Sequence, residues 1–113
     1  MDILPDNPQN KSAQAVRERL PNRRACETSS FEHAGAAFTM TEGRYADGRI
    51  GELFISAAHA NSALDALASD AAIAISFAVQ HGADIAAIRV AMKRNNQGEP
   101  SSPIGAALDR ITT

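Results

Sequence analysis

The stretch from Phe38 to Ser56 constrains the fold more than any other part of the chain. Apolar residues recur at every second position on both sides of Asp47-Gly48, a dipeptide that tolerates positive φ, which predicts strand, turn and strand. In the first arm Phe38 and Met40 point one way and Thr39 and Thr41 the other; in the second, Leu53 and Ile55 oppose Glu52 and Phe54. Gly43 interrupts the pattern and marks either a close approach of another group or, more commonly, a bulge. A lone hairpin is marginal in water and needs a layer over its apolar face. The alanine-rich segment that follows is the obvious cover.

On the N-terminal side, Cys26 to His33 is rich enough in Thr, Ser and Phe to form a first strand, turned back by Ala34-Gly35-Ala36. On the C-terminal side, Ser62 with Asp65 three residues later resembles a capping box and opens a helix from about Ala63 to Gln80, ended by Gly82. Leu64, Leu67, Ala71, Ile75, Ala78 and Val79 fall on one face and Ile73 and Phe77 on a second apolar line. This spacing predicts a helix buried on two sides, with Asp65, Ser69, Ser76 and Gln80 as a narrow polar stripe on the rest; its alanines and serines permit close backbone approach. Asp84 caps a second helix to about Lys93, with Ile85, Ile88 and Met92 inward and Lys93 and Arg94 at its negative end. A flexible link over 95–101 leads to Ser102-Pro103, an N-cap and N1 pair opening a last helix that buries Ile104, Ala107, Leu108 and Ile111. The expected fold is α+β: a three-stranded antiparallel meander covered on one face by a long helix and two shorter helices. Residues 1–16 read as a mobile leader and 17–113 as one domain, a length that can bury a core without staples.

A net charge of -2 argues against a general nucleic-acid or membrane binder. The single cysteine, Cys26, excludes an internal disulfide and a thiolate metal cage, and points to a reducing cytoplasm. The N-terminus lacks the basic and apolar regions of a signal peptide, and the apolar run over 66–79 is broken by Ser69, Asp70 and Ser76, so a soluble protein without a membrane partner is expected.

Candidate chemistry is sparse. His33, His59 and His81 lack metal-ligand spacing, and Cys26 reads as a partly buried structural thiol. Glu42 and Glu52, on facing strands, suit an acid and base pair or, as the favoured reading, cross-strand ion pairs with Arg44 and Arg49. No catalytic residue and no metal site emerges. The glycines from Gly43 to Gly51 are not followed by the helix that a phosphate loop requires. Positive charge is concentrated in Arg17, Arg19, Arg23 and Arg24, on a segment that Pro21 keeps extended. Arg19, Arg23, Arg24, Arg44 and Arg49 are candidates to converge on an anion, a nucleotide, a single-stranded nucleic acid or an acidic partner; the alternative is a solvated basic edge anchored by Leu20. Thr39, Thr41, Tyr45 and Phe54 line the second sheet face, which one helical layer leaves open, and form the candidate partner surface.

Five motifs in order carry a resemblance: Arg-Leu-Pro with the arginines to 24, the run from Gly43 to Ile55, Ser-Ala-Leu-Asp-Ala-Leu-Ala-Ser-Asp-Ala-Ala over 62–72, Gln-His-Gly over 80–82 and Ser-Pro-Ile-Gly over 102–105. Together they resemble the TSCPD domain, found near the C-terminus of adenosylcobalamin-dependent (class II) ribonucleotide reductases and as short stand-alone proteins. The resemblance covers about residues 17 to 111. It implies an α+β module associated with ribonucleoside-diphosphate reduction and DNA synthesis, with a reductase chain or a second copy as partner and adenosylcobalamin only through the enzyme family. The chain lacks the large barrel, the several cysteines of radical chemistry and the namesake Thr-Ser-Cys-Pro-Asp string, and no family catalytic residue maps onto it. An accessory or regulatory module, not catalytic by itself, is the expected function, with a free-standing reductase disfavoured.

Overall fold

Two hairpins that share their middle strand build the sheet. A computed structural model describes residues 16–59 and 62–111. Strands β1 (Ala25–His33), β2 (Ala36–Arg44) and β3 (Ile50–Ala57) pair antiparallel in the order β1-β2-β3. The first hairpin turns through Ala34 and Gly35, both at positive φ (51° and 81°), with His33 opposite Ala36. That is the primed turn which matches the strand twist. The second turn is wider than a dipeptide: Tyr45 N donates to Arg49 O and Gly48 N to Tyr45 O, each at 2.9 Å, and of Asp47 and Gly48 only the glycine is left-handed. The register shift expected near Gly43 falls between Gly43 and Arg44.

Helices α1 (Ala63–Gln80), α2 (Ile85–Ala91) and α3 (Pro103–Arg110) complete an α+β fold, as expected. Their ends follow local sequence. Ser62 Oγ accepts from Asp65 N at 3.0 Å, Asp84 Oδ1 from Ala86 N at 3.0 Å and Ser102 Oγ from Gly105 N at 3.1 Å. Gly82, at φ 101°, closes α1 with Gly82 N on Val79 O and Ala83 N on Ala78 O, the paired bonds of a Schellman motif. Phe31, Phe38, Met40, Leu53 and Ile55 on one sheet face pack with Ala68 and Ala72 of α1 and with Ala107, Leu108 and Ile111 of the α3 region. Phe31 and Phe38 stack across β1 and β2 with centroids 5.3 Å apart. The link over 95–101 is ordered by its own bonds: Asn95 Oδ1 accepts from Gln97 N and Glu99 N at 2.9 Å, and Asn95 N donates to Glu99 O. Arg94 does not serve the end of α2, which stops at Ala91, but pairs with Asp109 of α3 at 2.6 Å.

The inner face of α1 is rotated from expectation: Ile75 packs against the core as expected and Ala71, Ala78 and Val79 are half-buried, but the centre of the face is different. Leu64, Leu67, Ile73 and Phe77 are exposed, Leu67 by 70%, while Ala68, Ala72, Ser76 and Gln80 are buried. The cause is the edge of β3. Because Thr39, Thr41 and Gly43 of β2 pair with Ser56, Phe54 and Glu52, the alternate residues of β3 turn their backbone groups away from the sheet. Ser76 Oγ accepts from Leu53 N (2.8 Å) and is within 3.0 Å of Leu53 O; Gln80 Nε2 donates to Gly51 O (2.8 Å), and Asp65 Oδ1 accepts from Ala57 N (2.7 Å). Each such group left buried and unpaired would cost about 1–3 kcal/mol. The approach that brings these short side chains within reach leaves room only for alanine and serine beside them. By length and composition α1 is also apolar enough to cross a membrane, but these bonds tie it to the sheet.

Candidate functional site

The segment preceding β1 crosses the hairpin and joins it to the C-terminus of α1. Glu18 N donates to Gln80 O at 2.7 Å and Arg17 Nε to Gln80 Oε1 at 2.7 Å, so Gln80 ties arm, helix and β3 together. Tyr45 Oη donates to Glu18 O. Leu20 and the Tyr45 ring lie against Gly51, where a Cβ would come within 2.9 Å and 2.7 Å of them. Gly51 thus gives the arm its seat. Gly43 likewise leaves room for the Glu52 carboxylate, which Arg24 holds through Nε and Nη2.

This seating assigns the arginines. Arg24 pairs with Glu52 and donates to Pro21 O at 2.8 Å; the Glu52 bond lifts its pKa above the ordinary value. Arg49 reaches Glu18 (3.0 Å) and Asp47 (2.7 Å), lies 4.5 Å over the Tyr45 ring and is likewise held more basic than usual, first by Glu18 and then by Asp47. In return Asp47 is held below the usual carboxylate range by the backbone and then the side chain of Arg49. Arg44 donates to Glu42 at 2.7 Å and to Gly48 O at 2.8 Å. Arg19 and Arg23 are exposed. The five candidate arginines therefore do not meet at one point: Arg24 serves the open sheet face and Arg44 the helix-covered face. Nor do Glu42 and Glu52 face each other as acid and base. They lie on opposite faces, and the partner of Glu52 is Arg24 rather than Arg44 or Arg49.

Arg44 and Arg49 do share the wall of one cleft, about 480 Å³, between the hairpin turn (Asp47, Gly48, Ile50) and the α1–α2 junction (Val79, Asp84, Ile85). A second cleft of about 370 Å³ lies between the β1–β2 ladder and Arg110, beside Glu27, Glu42 and Arg44.

Of the candidate partner surface, Thr39 and Phe54 are exposed and Thr41 half-buried on the open sheet face. Tyr45 is not part of it. The bulge carries it under the arm, where it is 7% exposed and burial pushes its phenol pKa up. Cys26, expected to be partly buried, is exposed. The apolar surface that sequence spacing missed is the outward side of α1, with Leu64, Leu67, Ile73 and Phe77, together with Val90 of α2. Arg17 sits 4.4 Å over the Phe77 ring. The signal for that rotation was present in the alignment of Asp65, Ser76 and Gln80 with small residues on one side of the helix.

Comparison with known proteins adds the remaining observation. The chain is 41% identical over 66 residues to the vitamin B12-dependent ribonucleotide reductase of Agrobacterium fabrum, 38% over 72 residues to that of Rhodopirellula baltica and 36% over 66 residues to that of Bradyrhizobium diazoefficiens. It is related to a segment of these reductases. The matches cover 58%, 64% and 58% of this chain but only 5–7% of the relatives' length. No protein-family model and no solved structure matches the chain.

Proposed function

We propose that the chain is a non-catalytic accessory or regulatory module of class II ribonucleotide reduction, acting in the cytoplasm by docking on a reductase chain. The observation that carries this reading is the outward apolar side of α1, on a chain related to a small segment of much larger reductases. Large apolar side chains in a row on one helix mark a surface that another protein covers. The open sheet face with Thr39, Thr41 and Phe54 is a second, more polar contact candidate. No radical chemistry is ascribed to the chain itself, because its single cysteine cannot supply the thiol set that the reaction uses.

Mixing the full chain with a purified cobalamin-dependent reductase should give a complex on size exclusion, and a change in the rate of deoxynucleotide formation. Leu67→Glu should weaken that complex by at least about tenfold while leaving the fold intact. Two inert, separately eluting proteins would end this reading.

A second reading rests on the cleft shared by Arg44 and Arg49: a binder of nucleotides, other small anions or single-stranded nucleic acid. The carboxylates of Glu42, Glu18 and Asp47 compete with any such ligand for those guanidinium groups. Calorimetry with nucleoside diphosphates and single-stranded DNA at low and high salt decides it; no heat at low salt removes it.

A further inference from the structure

The two edges of the sheet are finished differently. His33 and Ala36 close a two-residue turn, so the bonded pairs of the first ladder are His33–Ala36, Phe31–Phe38, Ser29–Met40, Glu27–Glu42 and Ala25–Arg44. The N–H and C=O groups of Cys26, Thr28, Ser30 and Glu32 consequently point away from β2. Among the described residues only one of them has a partner, Ser30 O, which accepts a long, exposed bond of 3.4 Å from Arg110 Nη2. The strand carries no proline, lysine or bulge to blunt it, and six of its nine residues are exposed. Such an edge is a template for another strand.

We infer that β1 pairs antiparallel with β1 of a second copy of this chain, about a twofold axis at Ser29, to give a continuous six-stranded sheet. The register follows from two facts. Ser29 is the midpoint of Ala25–His33, so this axis alone pairs every residue of the strand. It also sets Glu27 of one copy opposite Phe31 of the other on the helix-covered face. Arg110 lies over that Phe31 ring, its guanidinium carbon 5.7 Å from the centroid, and so comes within reach of the second copy's Glu27. The two glutamates of the strand are kept apart, Glu32 falling opposite Cys26. Outward groups of Thr28 then bond those of Ser30 across the axis, displacing the weak Arg110 contact. The open faces of both copies join into one surface. A foreign strand would find the same backbone template but not this reciprocal charge match.

Sedimentation of the full chain tests the inference. The expected mass is twice 11.9 kDa. Ser30→Pro removes an N–H that β2 does not use, so it should give a monomer with an unchanged circular dichroism spectrum. Arg110→Glu and Glu27→Arg should each raise the dissociation constant about tenfold, and the double reversal should recover most of the loss. If Ser30→Pro does not fold, the charge-reversal pair still decides. A monomeric wild-type chain overturns the inference. So does a dimer that persists in Ser30→Pro, which would put the contact elsewhere, or a double reversal that recovers nothing.

Discussion

The β3 edge and the β1 edge present the same backbone chemistry and meet opposite fates. At β3, Gln80, Ser76 and Asp65 of α1 bond Gly51 O, both groups of Leu53 and Ala57 N, in a seam that is buried at Gly51 and Leu53 and part-buried at Ala57, and the arm locks the seam through Arg17 and Glu18. At β1 the outward groups face solvent, with one long contact from Arg110. The difference teaches that side chains, rather than a further strand, can finish a sheet edge, and that the cost appears elsewhere: the polar side of α1 is used inward, so its leucines, Ile73 and Phe77 are left outside. Sealing one edge thereby creates the apolar surface available to a partner.

The sharpest way to break this comparison is at Ser76. Ser76→Ala removes only the hydroxyl and leaves Leu53 N–H and C=O buried without partners, and should cost about 3 kcal/mol in urea unfolding. The matching change on the open edge, Ser30→Ala, should stay within about 0.5 kcal/mol. Equal losses at the two sites would show that α1 does not seal β3. Next in size is Gln80→Ala, which frees Gly51 O and Arg17 together and should cost about 2 kcal/mol. It should also release the arm, so that trypsin cuts at Arg19 or Arg23 faster than in the parent chain.

Acid should loosen the packing of α3. Arg94 holds the Asp109 carboxyl below its ordinary value of 3.8, fixing α3 to the turn that precedes it. A depressed carboxylate stabilises the fold above its unfolded pKa and loses that contribution as pH falls through the lower folded one. Amide protection factors in α3 and β1 should therefore fall below about pH 4, and Asp109→Asn should remove this acid-side dependence. An unchanged profile in Asp109→Asn would refute the assignment. The smallest expected effect is Ala34→Gly, which relieves a left-handed alanine in the turn beside β1 and should gain about 0.5–1 kcal/mol in thermal unfolding.

Local chemistry was legible without the structure. The strands, the places of the two hairpin turns, the span of α1 and the caps at Ser62, Asp84 and Ser102 all follow from neighbouring residues, because a turn or a cap is satisfied by atoms two to four positions away. The arginine partners were not legible, since Arg24 meets Glu52 and Arg49 meets Glu18 across 28 and 31 residues of chain. Nor was the burial of Tyr45, which depends on where the arm crosses. The exposure of Thr39 and Phe54 was legible, because alternation along a strand decides which side chains face outward.

What the chain by itself determined, then, is a meander of two hairpins, one long helix and two short capped ones. Tertiary structure alone decided which side of α1 faces inward. Periodicity ranks helix faces by hydrophobicity, but α1 lies against a strand edge whose unpaired N–H and C=O groups demand polar partners at close range. Against that neighbour Ser76 and Gln80 are the better inner face, and Leu64, Leu67, Ile73 and Phe77 are turned out.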